Sequence, residues 1–147
     1  MILRDEAGTR ALGARLAAHV GVGDVIALSG PLGAGKTSLA RGLLGALGLA
    51  GEAPSPSFAI VQPYDPPEVR LPVLHVDLYR IEHPDEVDEL GLADARRDSA
   101  LLIEWPERMG ARLWPDALVL TLQPQPSGAR RLTARVPAGW KARWSLI

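Results

Sequence analysis

Residues 25–41 run from Val25 to Arg41 as an apolar stretch, a glycine-rich loop and a segment with helical spacing. Within it Gly30, Gly33, Gly35, Lys36 and Thr37 satisfy the spacing G-x-x-x-x-G-K-[ST], whose backbone N–H groups wrap the phosphates of a nucleotide. Glycine reaches backbone conformations closed to other residues and lets the main chain approach anionic oxygens. The helix that follows would aim its unpaired N–H groups and positive dipole end at the same oxygens, and Lys36 would add a charge reaching the β- and γ-phosphates. Leu32, Ala34 and Ser38 complete the backbone of that cradle. Thr37 can place its hydroxyl on Mg²⁺.

A hard cation asks for more oxygen ligands than one threonine supplies. Two acids stand where apolar strands would deliver them: Asp77 at the carboxyl end of 71–78, and Glu104 directly after 100–103. With Ser29 ending the strand before the loop, three strands point at one place, as ligand sites beyond the carboxyl edge of open α/β sheets require. One acid would hold the metal while the other orients the attacking water or accepts its proton; spacing leaves open which does which. Other chemistries find less support. His19, His75 and His83 never fall at ligand spacing, so zinc is not expected, and Ser55 and Ser57 have no base in evidence.

Several elements must hold these groups. Residues 5–20 carry Ala11, Leu12, Leu16 and Val20 at helical spacing. A strand is expected over 25–29 and a helix over 37–47, with Gly48 as its stop. Residues 51–56 read as a loop in which Pro54 and Pro56 hold Ser55 and Ser57 extended, and 57–62 as a strand. In 71–78, Val73, His75 and Asp77 share one face and Leu74, Val76 and Leu78 the other. Pro84 opens a short helix closed by Gly91, residues 106–113 form another, and Trp105 between strand and helix either packs beside the site or, the stronger expectation, fills core. Strands over 117–123 and 131–136 pair as an antiparallel hairpin. The tail, 140–147, receives no assignment. The fold class is α/β and P-loop NTPase-like: a mostly parallel central sheet with flanking helices and a C-terminal hairpin, in one domain over 1–147.

Composition narrows the class. Hydrophobic residues make up 47% and charged residues 22% of 147, as in globular proteins, and the absence of cysteine excludes disulfides and thiolate metal sites. A cytoplasmic location is therefore expected, with no membrane association, because Arg4, Asp5 and Glu6 interrupt any leader and no apolar run can span a bilayer. The net charge of −1 hides an asymmetry. Residues 65–98 hold ten acids against four bases, while 107–147 hold two acids against seven bases. Either flank could steer a charged partner, protein or RNA.

Taken together, residues 30–42, Ser-Pro-Ser-Phe at 55–58, His-Val-Asp-Leu-Tyr-Arg at 75–80, Pro-Asp-Glu-Val-Asp-Glu-Leu-Gly at 84–91 and Ile-Glu-Trp-Pro-Glu at 103–107 resemble the TsaE (YjeE) family. That family is the ATPase subunit of the bacterial system that forms threonylcarbamoyladenosine on tRNA. The resemblance implies that Thr37 and Glu104 coordinate Mg²⁺, that Asp77 serves hydrolysis of ATP, and that 55–58 senses the γ-phosphate, with Ser57 where the family usually has threonine. It further implies that Arg130 lies near the nucleotide and that Glu6 and Thr9 line its adenine side. TsaD and TsaB are the implied partners, tRNA being reached only through them, and hydrolysis would reset their complex between turns. Two rival readings are a small-molecule kinase and a nucleotide-binding module without catalysis.

Overall fold

The structure, a computed structural model, describes residues 1–54 and 60–147. Seven strands form one sheet in the order β1-β7-β6-β2-β5-β4-β3: β1 is Ile2–Leu3, β2 Val25–Ser29, β3 Val61–Tyr64, β4 Val73–Asp77, β5 Ala100–Glu104, β6 Leu118–Pro124 and β7 Arg130–Arg135. The inner strands β6, β2, β5 and β4 run parallel, whereas β1, β7 and β3 attach antiparallel at the two edges. This is the expected α/β sheet with its C-terminal hairpin. β2 and β5 are nearly unbroken apolar runs because both faces of a parallel centre are covered.

Strand alternation sorts the core into two layers. On one face Ile26, Leu28, Leu102 and Leu120 meet Leu12, Leu16, Leu39, Leu43 and Leu44 of α1 (Glu6–Ala17) and α2 (Lys36–Ala46). On the other, Val25, Val76, Leu101 and Ile103 meet Val87, Leu92 and Met109. Val73 falls in the first layer and Val76 in the second, so the face assigned to His75 and Asp77 is the α1–α2 face.

The two helices touch backbone to backbone. A Cβ on Gly13 would lie 2.1 Å from the Leu39 carbonyl oxygen, and one on Gly42 would lie 2.1 Å from that of Arg10. Neither oxygen can yield without separating the helices. Gly42→Ala is therefore expected to destabilise the fold by about 1–3 kcal/mol or more, read as a lower urea midpoint with unchanged denaturant slope.

Several elements differ from expectation. The strand expected over 57–62 is seen as Val61–Tyr64, an edge strand that tolerates Pro63; residues 55–59, with Ser55 and Ser57, lie outside the described residues. Gly91, φ 66°, ends the 3₁₀ segment Pro84–Leu90 but also begins α3 (Leu92–Asp98), a helix not expected from the sequence. Pro106–Arg112 is 3₁₀ rather than α because Gly110 breaks it at φ 56°. The unassigned tail holds α4 (Lys141–Trp144). Buried Trp140 anchors it, and Arg143 stacks on that ring at 3.7 Å while pairing with Asp24 at 2.5 Å. No helix among the described residues is long and apolar enough to cross a membrane.

Candidate functional site

The loop between β2 and α2 turns on glycines with positive φ: Gly30 at 143°, Gly33 at 76° and Gly35 at 105°. At Gly30 a side chain would also strike the Leu122 carbonyl oxygen at 2.4 Å, so both backbone angle and space demand glycine there. α2 starts at Lys36, and its amino end opens on a cavity of about 310 Å³ walled by loop residues 32–38 together with Asp77, Glu104, Trp105 and Arg130. The carboxyl ends of β4 and β5 and the amino end of α2 thus converge as the sequence predicts, whereas Ser29 at the end of β2 is not in the cavity wall and donates to Glu107 at 3.1 Å.

Asp77 and Glu104 are direct neighbours in the β4–β5 register, and Leu28 lies opposite Glu104 on β2. Both acids are buried, at 5% and 2% exposure, which is unusual for carboxylates unless they are engaged. Glu104 Oε1 accepts a hydrogen bond from the Thr37 hydroxyl at 3.0 Å, and Oε2 lies 2.7 Å from His75 Nε2. Asp77 Oδ1 accepts from the Tyr79 N–H at 2.9 Å, closing the turn after β4.

Lys36 is folded back onto its own loop. Its ammonium donates to the carbonyls of Gly30 and Pro31 and lies 3.7 Å from the centre of the Trp105 ring. Burial holds this ammonium below the ordinary lysine range, against the upward pull of Glu104, Glu107 and Asp77. Arg130, opening β7, donates from Nε to the Ala34 carbonyl at 3.0 Å and so clamps the loop from the hairpin side.

The structure brings most of the expected residues together. Glu6 and Thr9 stand behind the cavity wall rather than in it: the Ser38 hydroxyl donates to Glu6 at 3.5 Å, and buried Thr9 packs under Gly35. Trp105 meets both expectations: partly buried, it packs against the second core layer, and it also lines the cavity. It adopts left-handed backbone, φ 60° and ψ 51°, and turns its ring to the cavity, where Tyr79 meets it at 5.0 Å. Its place straight after a strand-end acid was the available signal. His75, which the sequence does not mark as a partner of Glu104, lies two residues before Asp77 on the same face. N–H donors, an ammonium and a hydroxyl–carboxylate pair around one cavity suit a phosphorylated ligand carried with a hard cation.

Comparison with known proteins points to one family. The family model described as "Threonylcarbamoyl adenosine biosynthesis protein TsaE" matches residues 3–132. The Streptomyces coelicolor protein named tRNA threonylcarbamoyladenosine biosynthesis protein TsaE is 41% identical over 114 residues, 77% of each chain. The Rickettsia felis protein of that name is 34% identical over 126 residues, covering 84% of this chain and 71% of that one. The crystal structure of Bacillus subtilis YdiB superposes with a TM-score of 0.83 at 26% identity, covering 99% of this chain and 90% of that one. Sequence and fold therefore lead to one conclusion: this chain belongs to the TsaE family of tRNA threonylcarbamoyladenosine biosynthesis proteins.

Proposed function

We propose that the chain binds ATP with Mg²⁺ in the cavity at the amino end of α2 and hydrolyses it to ADP and phosphate. The observation that carries this is the Thr37–Glu104 contact beside the glycine-rich loop, with Asp77 next to Glu104 in register. The donor set fits Mg²⁺: two hard oxygen donors meet, and the described residues hold no group of three or more His, Cys, Asp or Glu able to hold a metal by itself. A cation that shares its coordination with phosphates needs no such cage. Thr37 and Glu104 would hold Mg²⁺, which when bound neutralises charge on the β- and γ-phosphate oxygens. The backbone of Gly30 and residues 32–38 binds the phosphates, Lys36 swings from its carbonyl partners to their oxygens, and Arg130 keeps the loop in place. Asp77 orients the attacking water and takes its proton, while Glu6 and Thr9, outside the cavity wall, flank Ser38 and Gly35 on the nucleoside side.

In this reading the protein is a single cytoplasmic domain whose slow hydrolysis resets a complex with TsaD and TsaB. The kinase alternative needs an acceptor cleft beside the phosphates. A second cavity of about 350 Å³, lined by Val87, Leu92, Met109 and Trp114, shares no residue with the first. Titration calorimetry tests the proposal: ADP binding is expected to tighten at least about tenfold when Mg²⁺ is supplied, and labelled ATP to yield free phosphate alone. Absence of adenine nucleotide binding, or label passed to a nucleoside or sugar, would replace the reading.

A further inference from the structure

We infer that His75 is a positioning residue, one that orients the Glu104 carboxylate for the metal without touching substrate; this rests on the magnesium-dependent reading above. Glu104 divides its two oxygens between two partners. Oε1 faces the Thr37 hydroxyl at the cavity, while Oε2 points back into the sheet and meets His75 Nε2 at 2.7 Å. His75 has no exposed surface, so its side chain cannot reach a ligand in the cavity.

The protonation pattern follows from the partners. An ionised carboxylate only accepts hydrogen bonds, so Nε2 carries the hydrogen and donates it to Oε2. Nδ1 is buried with no hydrogen-bond partner among the described residues, so a hydrogen placed there would go unpaired. The opposite tautomer would bury an unpaired N–H against nothing and set two acceptors 2.7 Å apart, which is worse on both counts. A buried polar pair of this kind contributes little net stability over an apolar replacement of similar size. What it does contribute is a fixed carboxylate plane. With Oε2 tied down from β4, rotation of the carboxylate is blocked and Oε1 stays turned toward the loop. Partners behind a metal ligand typically carry about 10–100-fold in metal affinity.

The test compares wild type with His75→Leu, His75→Phe and His75→Gln by calorimetric titration of ADP with and without Mg²⁺, and by Mn²⁺ binding to the ADP complex followed by paramagnetic resonance. Metal-free ADP affinity is expected to stay within about twofold for all variants. The metal-dependent gain and the Mn²⁺ affinity are expected to fall about 10–100-fold in the two apolar variants and to recover largely in His75→Gln, whose amide N–H replaces Nε2–H. A folded apolar variant with the wild-type metal gain, or equal losses in all three, overturns the assignment. Nitrogen-15 spectra of the wild-type imidazole serve even where a variant fails to fold. They are expected to show hydrogen on Nε2 and a resonance that moves when Mg²⁺ joins the ADP complex; hydrogen on Nδ1, or no movement, overturns it equally. A wild type whose ADP affinity ignores Mg²⁺ would remove the metal site itself, an outcome distinct from wild-type gain in the variants.

Discussion

Asp77→Asn is expected to lower phosphate release at saturating ATP by at least about 100-fold while leaving the dissociation constant for ADP within about threefold. The size follows from the role: proton transfer by a positioned group contributes about 10²–10⁴ in rate. The selectivity follows from the geometry. Asp77 sits at the carboxyl end of β4, 5% exposed, on the cavity wall and next to Glu104 in register. Asparagine keeps an oxygen for the Tyr79 N–H that closes the turn after β4, so the local fold survives the exchange. It removes the charge and the ability to take a proton. Single-turnover phosphate release alongside ADP calorimetry separates the two effects. An unchanged release rate would assign the chain to the class of nucleotide-binding modules without catalysis.

The same residue shows how much of the site could be read from the chain. Two-residue alternation places Asp77 and His75 on one strand face, and the apolar run 100–103 announces a strand delivering Glu104, so both acids are legible from local pattern alone. Their adjacency is a property of strand order, which no local pattern encodes, and it decides that Glu104 rather than Asp77 meets Thr37. Trp105 packs against the second core layer, as an aromatic residue beside an apolar strand ordinarily does, and lines the cavity as well. Its left-handed backbone conformation, which sets the ring between the two, has no local signal in the sequence. β1 escaped for a different reason: two residues carry no period, and the strand exists only because β7 offers it an edge. The antiparallel hairpin, by contrast, followed from a turn between two alternating segments and stands as read.

Lys36→Met carries the other large effect, and its two parts have opposite signs. ATP affinity is expected to fall about 10–100-fold, since the net worth of one hydrogen bond from a charged donor, about 1.5–3 kcal/mol, is lost. Hydrolysis falls further, because charge on the transferred phosphoryl group is greatest where the ammonium would act. The protein without nucleotide is nevertheless expected to melt higher than wild type at neutral pH. Lys36 is 5% exposed, and burial depresses its pKa below the ordinary 10.5 in spite of nearby Glu104, Glu107 and Asp77. Depression means that the fold holds the charge less well than the unfolded chain does. Below the depressed value the lysine is charged in both states and the fold bears the full cost; between that value and 10.5 the unfolded state binds more protons, so wild-type stability gains relative to the variant as pH rises. The difference in melting temperature should therefore be largest near neutrality and shrink toward pH 10.5. Methionine keeps most of the apolar stem against Trp105 and frees the Gly30 and Pro31 carbonyls to water in an open cavity, which limits what the exchange costs elsewhere. Thermal melts at stepped pH, paired with ATP calorimetry, read both signs. A variant that melts lower at neutral pH would show that the folded-back ammonium holds the loop together, and a site under desolvation strain would no longer be the right description.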